Sequence, residues 1–153
     1  MISAVDYKAL KRLMVQGRAT WAELAADMGL SAPAAAERVR KLEQQMVIKG
    51  YAALVDPASV GYPLTAFITI TLDRPKHRAG FLEAIHGMDE IVECFHIAGD
   101  GDYLLKVRCR STADLDRLLT SGIKGTKGIA QTRTTVVLST FKETVATPVV
   151  IEP

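Results

Sequence analysis

The chain has 153 residues, 48% of them hydrophobic and 24% charged, with a formal net charge of +2. That composition belongs to a folded chain of one ordinary domain or two small ones, and it excludes both a disordered polymer and a strong polycation. The small excess of positive charge lies entirely in the first 64 residues, which carry eight Lys/Arg against six Asp/Glu.

Up to about residue 46 the apolar spacing is helical. Leu10, Leu13 and Met14 form one stripe; Trp21, Leu24, Ala25 and Met28 form a second; Ala35, Val39, Leu42 and Met46 form a third. Thr20 with Glu23 reads as a capping box at the start of the second helix, and Gly29 as its left-handed end. Ser31 caps the third helix, with Pro33 in the first turn, where a missing N–H does no harm. Two helices joined by a short turn containing glycine form a helix-turn-helix layout. Trp21 is expected to pack in the interior, and Ala25 to sit where two steeply crossing helices meet.

From Val47 the period changes. "VIKGYAALVD" reads as a strand and "DPASVGYP" as a linker. The strand "TAFITITLD" follows, then a helix carrying Phe81, Leu82, Ile85 and Met88. The strands "EIVECFHIAG" and "DYLLKVRCR" come next, then a helix capped by Ser111 and Asp114, and a last strand "TRTTVVLSTF". The order βαββαβ is the ferredoxin-like arrangement. The expected fold is therefore α+β: a helix-turn-helix (winged-helix-like) domain over 1–46, a strand and linker over 47–64, and a ferredoxin-like domain over 65–153. Several strands are apolar on both faces, and two helices cover only one side of a four-stranded sheet. Burial alone therefore calls for a second layer, most simply another copy of the chain.

Two segments carry chemistry. On the third helix, Ala34, Glu37, Lys41 and Gln44 lie opposite the buried stripe, flanked by Arg38 and Arg40. Small residues at the helix start admit a groove wall, and the cations behind them match phosphates. A solvated basic face gives the same pattern. The candidate DNA-contacting set is Ser31, Ala32, Pro33, Ala34, Glu37, Arg38, Arg40 and Lys41, with Ser31 and Arg38 as direct readers. The second segment is Gly99, Asp100, Gly101, Asp102 and Tyr103. Asp-Gly between strands is a two-residue hairpin signal. The same turn offers backbone N–H groups to a carboxylate and aspartates to an ammonium, which together describe an amino acid. A site can be built from a turn, so the readings are compatible.

Those residues resemble the Lrp/AsnC (feast/famine) family of prokaryotic transcription regulators. The resemblance runs through "GRATWAELAADMGLSAPAAAERVRKLEQQMVIKGYAALVDPASVGYPLTAFI", "VECFHIAGDGDYLLKVR" and "TRTTVVLSTFK". It implies that the helix-turn-helix binds promoter DNA. It also implies that the C-terminal domain dimerises, builds octamers or related rings, and holds a small effector, usually an amino acid, between subunits. Two departures stand out. Ala98 occupies a position where a hydroxyl residue is common, which bears on the effector's identity. "QQM" replaces an acidic residue and a glycine at the end of the third helix.

No nucleophile–base pair, Walker loop or dinucleotide fingerprint is visible. Cys94, His96, Asp100 and Asp102 match no zinc spacing, and His77 and His86 read as surface residues, so neither metal nor cofactor is expected. No apolar run reaches the ~18 residues that span a bilayer. The start "MISAVDYKALKRL" lacks the apolar core of a secretion signal, and two cysteines are too few for a disulfide framework. The expectation is a cytoplasmic, homo-oligomeric, sequence-specific regulator of amino-acid-related metabolism, not an enzyme, with duplex DNA and an amino acid effector as partners. The alternative is a ferredoxin-like metabolite-binding module or small enzyme whose helical head binds protein.

Overall fold

The computed structural model describes residues 2–151. They form two compact units. One takes in the residues up to Leu54 together with the segment from Lys142 onward, and the other is Val55–Phe141.

The first unit contains α1 (Ala4–Leu13), α2 (Trp21–Met28) and α3 (Ala32–Gln44). Each start is capped by a hydroxyl. Ser3, Thr20 and Ser31 accept the N–H groups of Asp6, Glu23 and Ala34, and Glu23 accepts the Thr20 N–H in return, which completes the capping box. Gly29 closes α2 at φ 70, a conformation that costs glycine little. Ala9, Leu24, Ala25, Met28, Ala35 and Val39 form the core, and three of these six are alanines, which lets the helix axes approach closely. A two-point ion pair from Arg12 to Asp27 ties α1 to α2, with Nε and Nη2 donating to separate carboxylate oxygens at 2.5 and 3.0 Å.

The helical stripes hold except at their ends. Trp21 is half exposed, and Met46 is largely exposed. Periodicity says which face a residue shares, not how far the neighbouring helix extends to cover it. Met46 takes the left-handed conformation (φ 57) at the end of α3. The N–H of Met46 meets the Glu43 carbonyl and that of Val47 the Leu42 carbonyl, the bond pattern glycine usually supports at a helix end. The strand expected over "VIKGYAALVD" does not form: 47–55 pairs with no other strand. A β-prone sequence becomes a strand only by pairing with an edge, and no described strand pairs with this stretch. Its start is instead held against the helices. Ile48 packs on the core and the Tyr51 hydroxyl donates to Glu43 at 2.9 Å. Burial, then the adjoining carboxylate, push the Tyr51 pKa up to about 12, so the phenol remains a donor.

The second unit contains β1 (Leu64–Leu72), α4 (Arg78–His86), β2 (Ile91–His96), β3 (Tyr103–Cys109), α5 (Thr112–Arg117) and β4 (Ile129–Val136). The sheet order is β2-β3-β1-β4 and all neighbours are antiparallel, which is the ferredoxin-like topology. Alternation along β1 and β3 sends Ala66, Ile68, Ile70, Tyr103, Leu105, Val107 and Cys109 to one face. There they meet Phe81 and Ile85 of α4 and Leu115, Leu118 and Ile123 of α5 and its wide-turned continuation. β4 starts earlier than the sequence suggests and ends at Val136, opposite Ala66, with one further bond from the Val137 N–H to the Thr65 carbonyl at 2.9 Å. Leu138 and Phe141, expected within that strand, are almost fully exposed beyond it. His77 is not a free surface residue. Its Nδ1 lies 2.5 Å from the Asp73 carboxylate, and its ring occupies the space a side chain at Gly128 would need.

Candidate nucleic-acid interface and effector site

Helix α3 presents its outer face as a graded surface. Its buried side is Ala35, Val39 and Leu42; Ser31, Pro33, Ala34, Glu37, Arg40 and Lys41 are exposed, while Ala32, Ala36 and Arg38 are partly covered. The first turn therefore exposes little beyond methyl groups and a proline ring, and the cations stand one to two turns further on. Ser31 is engaged locally, its hydroxyl accepting the Ala34 N–H at 3.4 Å. The three cations differ in what holds them. Arg40 pairs with Glu37 on its own helix. Arg38 reaches across to Asp6 on α1 at 2.7 Å. Lys41 has no hydrogen bond or ion pair among the described residues. The expected set does share one surface, but Arg38, expected as a direct reader, is anchored to Asp6.

The β2–β3 connection is longer than the two-residue turn suggested by Asp-Gly. The Ile97 N–H bonds the Asp102 carbonyl at 2.9 Å, which leaves Ala98 to Gly101 as the loop. Gly99 (φ 154) and Gly101 (φ 101) adopt backbone conformations suited to glycine. At Gly101 a Cβ would lie 2.5 Å from the Thr69 side chain and 3.2 Å from the Ile70 carbonyl oxygen, so the loop can lie against β1 only because that side chain is absent. Asp102 secures the same contact. Its N–H donates to the Ile70 carbonyl at 2.8 Å and its carboxylate accepts the Leu72 N–H at 2.7 Å.

The two aspartates therefore part company. Asp102 is occupied by the backbone of β1. Asp100 is 90% exposed and stands 3.6 Å from Arg133 of β4. Together with Thr69, Thr71, Gly101 and Gln131 they line a hollow of about 210 Å³ on the face of the sheet opposite the helices. Tyr103 lies on the other face, buried between Phe81 and His96 at ring separations of 4.8 and 5.1 Å. Of the five expected residues, the structure brings Asp100 and Gly101 to the hollow, keeps Gly99 in the loop outside its lining, uses Asp102 to hold the loop, and takes Tyr103 into the core. Thr69, Thr71, Gln131 and Arg133 were not singled out from the sequence. The available signal was the polar alternation in "TIT" and "QTR", which puts those side chains opposite Ile68 and Ile70.

The rest of this open face is mixed. Phe95, Leu104, Thr69 and Arg133 form one row across the four strands, and Glu93, Lys106, Phe67 and Thr135 the next. Phe95 is half exposed. An apolar strip thus adjoins the polar hollow. No group of three or more His, Cys, Asp or Glu side chains converges among the described residues, and none of their helices is long and apolar enough to cross a membrane.

Comparison with known proteins matches residues 2–43 to the AsnC-type helix-turn-helix domain and 65–147 to the Lrp/AsnC ligand binding domain. The chain is 39% identical over 145 residues to the leucine-responsive regulatory protein of Haemophilus influenzae, covering 94% of this chain and 87% of that one. Among solved structures, a Neisseria meningitidis transcriptional regulator in complex with L-Met superposes with a TM-score of 0.93 at 28% identity, over 97% of each chain. The feast or famine regulatory protein of M. tuberculosis complexed with L-methionine has a TM-score of 0.84 at 37% identity, over 91% of this chain and 93% of that one.

Proposed function

The chain belongs to the Lrp/AsnC family of DNA-binding transcriptional regulators, and on that premise we propose that it reads duplex DNA through α3 under the control of an amino acid bound at the Asp100–Arg133 hollow. Family membership sets aside the alternative of a small enzyme or a protein-binding head. The observation that carries the effector reading is the pairing of Asp100 with Arg133 across a polar hollow. A zwitterion brings an ammonium for the aspartate and a carboxylate for the arginine fork, and it replaces one exposed ion pair, worth little in water, by two. The L-Met complexes of the two structural relatives support this ligand class.

On the DNA side, the alanine-rich start of α3 fits a groove wall. Its methyl groups discriminate little beyond contact with thymine, so phosphates hold the helix in place and DNA shape contributes to specificity. The regulator acts as a homo-oligomer in the cytoplasm, a dimer that assembles into an octamer or a related ring. Phe67, Leu104 and Phe95 on the open face, and Leu138 and Phe141 beyond β4, supply apolar surface for a second copy to cover.

A thermal-shift screen of the twenty amino acids tests the effector reading, because a ligand that binds only the native state raises the melting temperature. At least one amino acid should raise it, and Asp100→Ala or Arg133→Ala should remove the shift. A response left intact in both variants places the effector elsewhere.

A further inference from the structure

Arg12 and Arg38 both pair with an aspartate, in different ways. Arg12 gives two nitrogens to the two oxygens of Asp27, a fork-to-fork contact that engages most of the guanidinium. Arg38 gives one. Its Nη1 donates to Asp6 Oδ1 at 2.7 Å and reaches the Ser3 hydroxyl at 3.4 Å. Its Nε and Nη2 have no hydrogen-bond partner among the described residues. Asp6 is itself fixed: the Ser3 hydroxyl donates to Oδ2 at 2.6 Å, and the Asp6 N–H donates back to that hydroxyl at 3.1 Å. Burial opposes the Asp6 charge, but the Ser3 hydroxyl and the Arg38 guanidinium outweigh it and hold the carboxyl below its usual range. Asp6, Arg38, Lys41, Leu42 and Gln45 line a hollow of about 190 Å³.

The geometry points to Asp6, braced by Ser3, as a positioning residue for DNA binding: it holds the Arg38 guanidinium at this hollow by one nitrogen, leaving two to clamp a backbone phosphate together with Lys41. This rests on the reading that α3 meets duplex DNA. An arginine ordered before binding loses less side-chain freedom on contact than a free one. The carboxylate also repels the phosphate, so the sign of the effect must be decided. Orientation prevails over repulsion because the repulsion acts through a salt-screened, solvated medium, whereas the partly buried 2.7 Å contact that aims the guanidinium is screened much less.

The test uses the full chain and a family-type promoter duplex across a range of salt concentrations. Lys41→Ala comes first. Weakened binding with a shallower salt slope supports the placement of α3 on DNA, whereas no change removes that reading and this proposal with it. Asp6→Asn should then weaken binding by about three- to tenfold and lower the salt slope by roughly one contact. In an Arg38→Gln background the same substitution should change nothing further. Tighter or unchanged binding in Asp6→Asn overturns the proposal, as does a loss that persists undiminished without Arg38. If Asp6→Asn fails to fold, Ser3→Ala leaves both charges and removes the brace, and the loss of the α1 cap that it also brings is common to both backgrounds. Ser3→Ala should weaken binding more in the wild-type background than in Arg38→Gln, and a loss of equal size in both overturns the proposal.

Discussion

The two units are held together by different means. Of the ten largest fully buried side chains, eight (Phe81, Ile68, Ile70, Leu105, Leu118, Ile123, Val107 and Cys109) belong to the sheet unit and only Leu24 and Val39 to the helical unit. The sheet unit has a broad dry layer between strands and helices. The helical unit crosses three short helices on alanines and relies on caps and on ion pairs between helices. The difference is physical in origin. A helix that must enter a groove keeps its outer face small or polar, so a three-helix head has little apolar surface left to bury. A sheet with one face covered by helices can bury a whole layer and still leave the other face for ligand and partner.

Ile68→Ala breaks the comparison at its strongest point. Ile68 is fully buried between β3 and β4, and its truncation should cost about 2–5 kcal/mol in denaturant unfolding of the sheet unit. Ala35→Leu probes the opposite design. A larger side chain at a fully buried helix crossing should destabilise the helical unit by about 1–3 kcal/mol through overpacking and weaken DNA binding with it. If the helices part and accept the leucine at no cost, close approach is not what those alanines provide.

Acid sharpens the contrast. In the sheet unit Asp56, Asp73 and Asp114 all lie below the usual carboxylate range, Asp114 by far the most. Asp114 accepts the side chains of Arg110 and Arg117 and the backbone N–H of Arg110, and these contacts, Arg110 first, hold its pKa far below the usual carboxylate value. In the helical unit the lowered carboxyls are spread over Asp6, Glu23 and Asp27. A depressed pKa contributes stability above the unfolded value of about 3.9 and loses it as pH falls toward the folded value. Asp114→Asn should therefore lower the melting temperature near pH 7 and flatten its decline on acidification below about pH 4. Asp27→Asn alone should leave most of the helical unit's acid sensitivity in place.

Met46→Gly should give the smallest effect and the opposite sign. A methionine at φ 57 carries left-handed strain at a helix end already closed by the correct hydrogen bonds. Glycine relieves the strain but loosens the unfolded chain, for a net gain of up to about 1 kcal/mol. Urea unfolding followed by helical signal is the check, and a loss of stability would mean that the Met46 side chain has a packing role.

Local order was legible from residue types alone. Hydroxyls at Thr20 and Ser31 mark helix starts because a side-chain acceptor there satisfies one of the free N–H groups. Glycine at 29 marks a helix end because left-handed backbone costs it little. Alternation in "TAFITITL", broken only by Phe67, puts Ala66, Ile68 and Ile70 on one dry face of β1. Periodicity cannot carry information about a distant partner. Whether "VIKGYAALVD" forms a strand depends on an edge elsewhere, and whether Trp21 is covered depends on where a neighbouring helix stops. The division of labour between Asp100 and Asp102 turned on a single contact, the approach of Gly101 to Thr69, which left one carboxylate bonded to the β1 backbone and the other facing Arg133. Arg38 was a cation like its neighbours until folding set Asp6 beside it. Charge and propensity are properties of a residue, whereas a hydrogen-bond partner thirty positions away exists only once the chain has closed on itself.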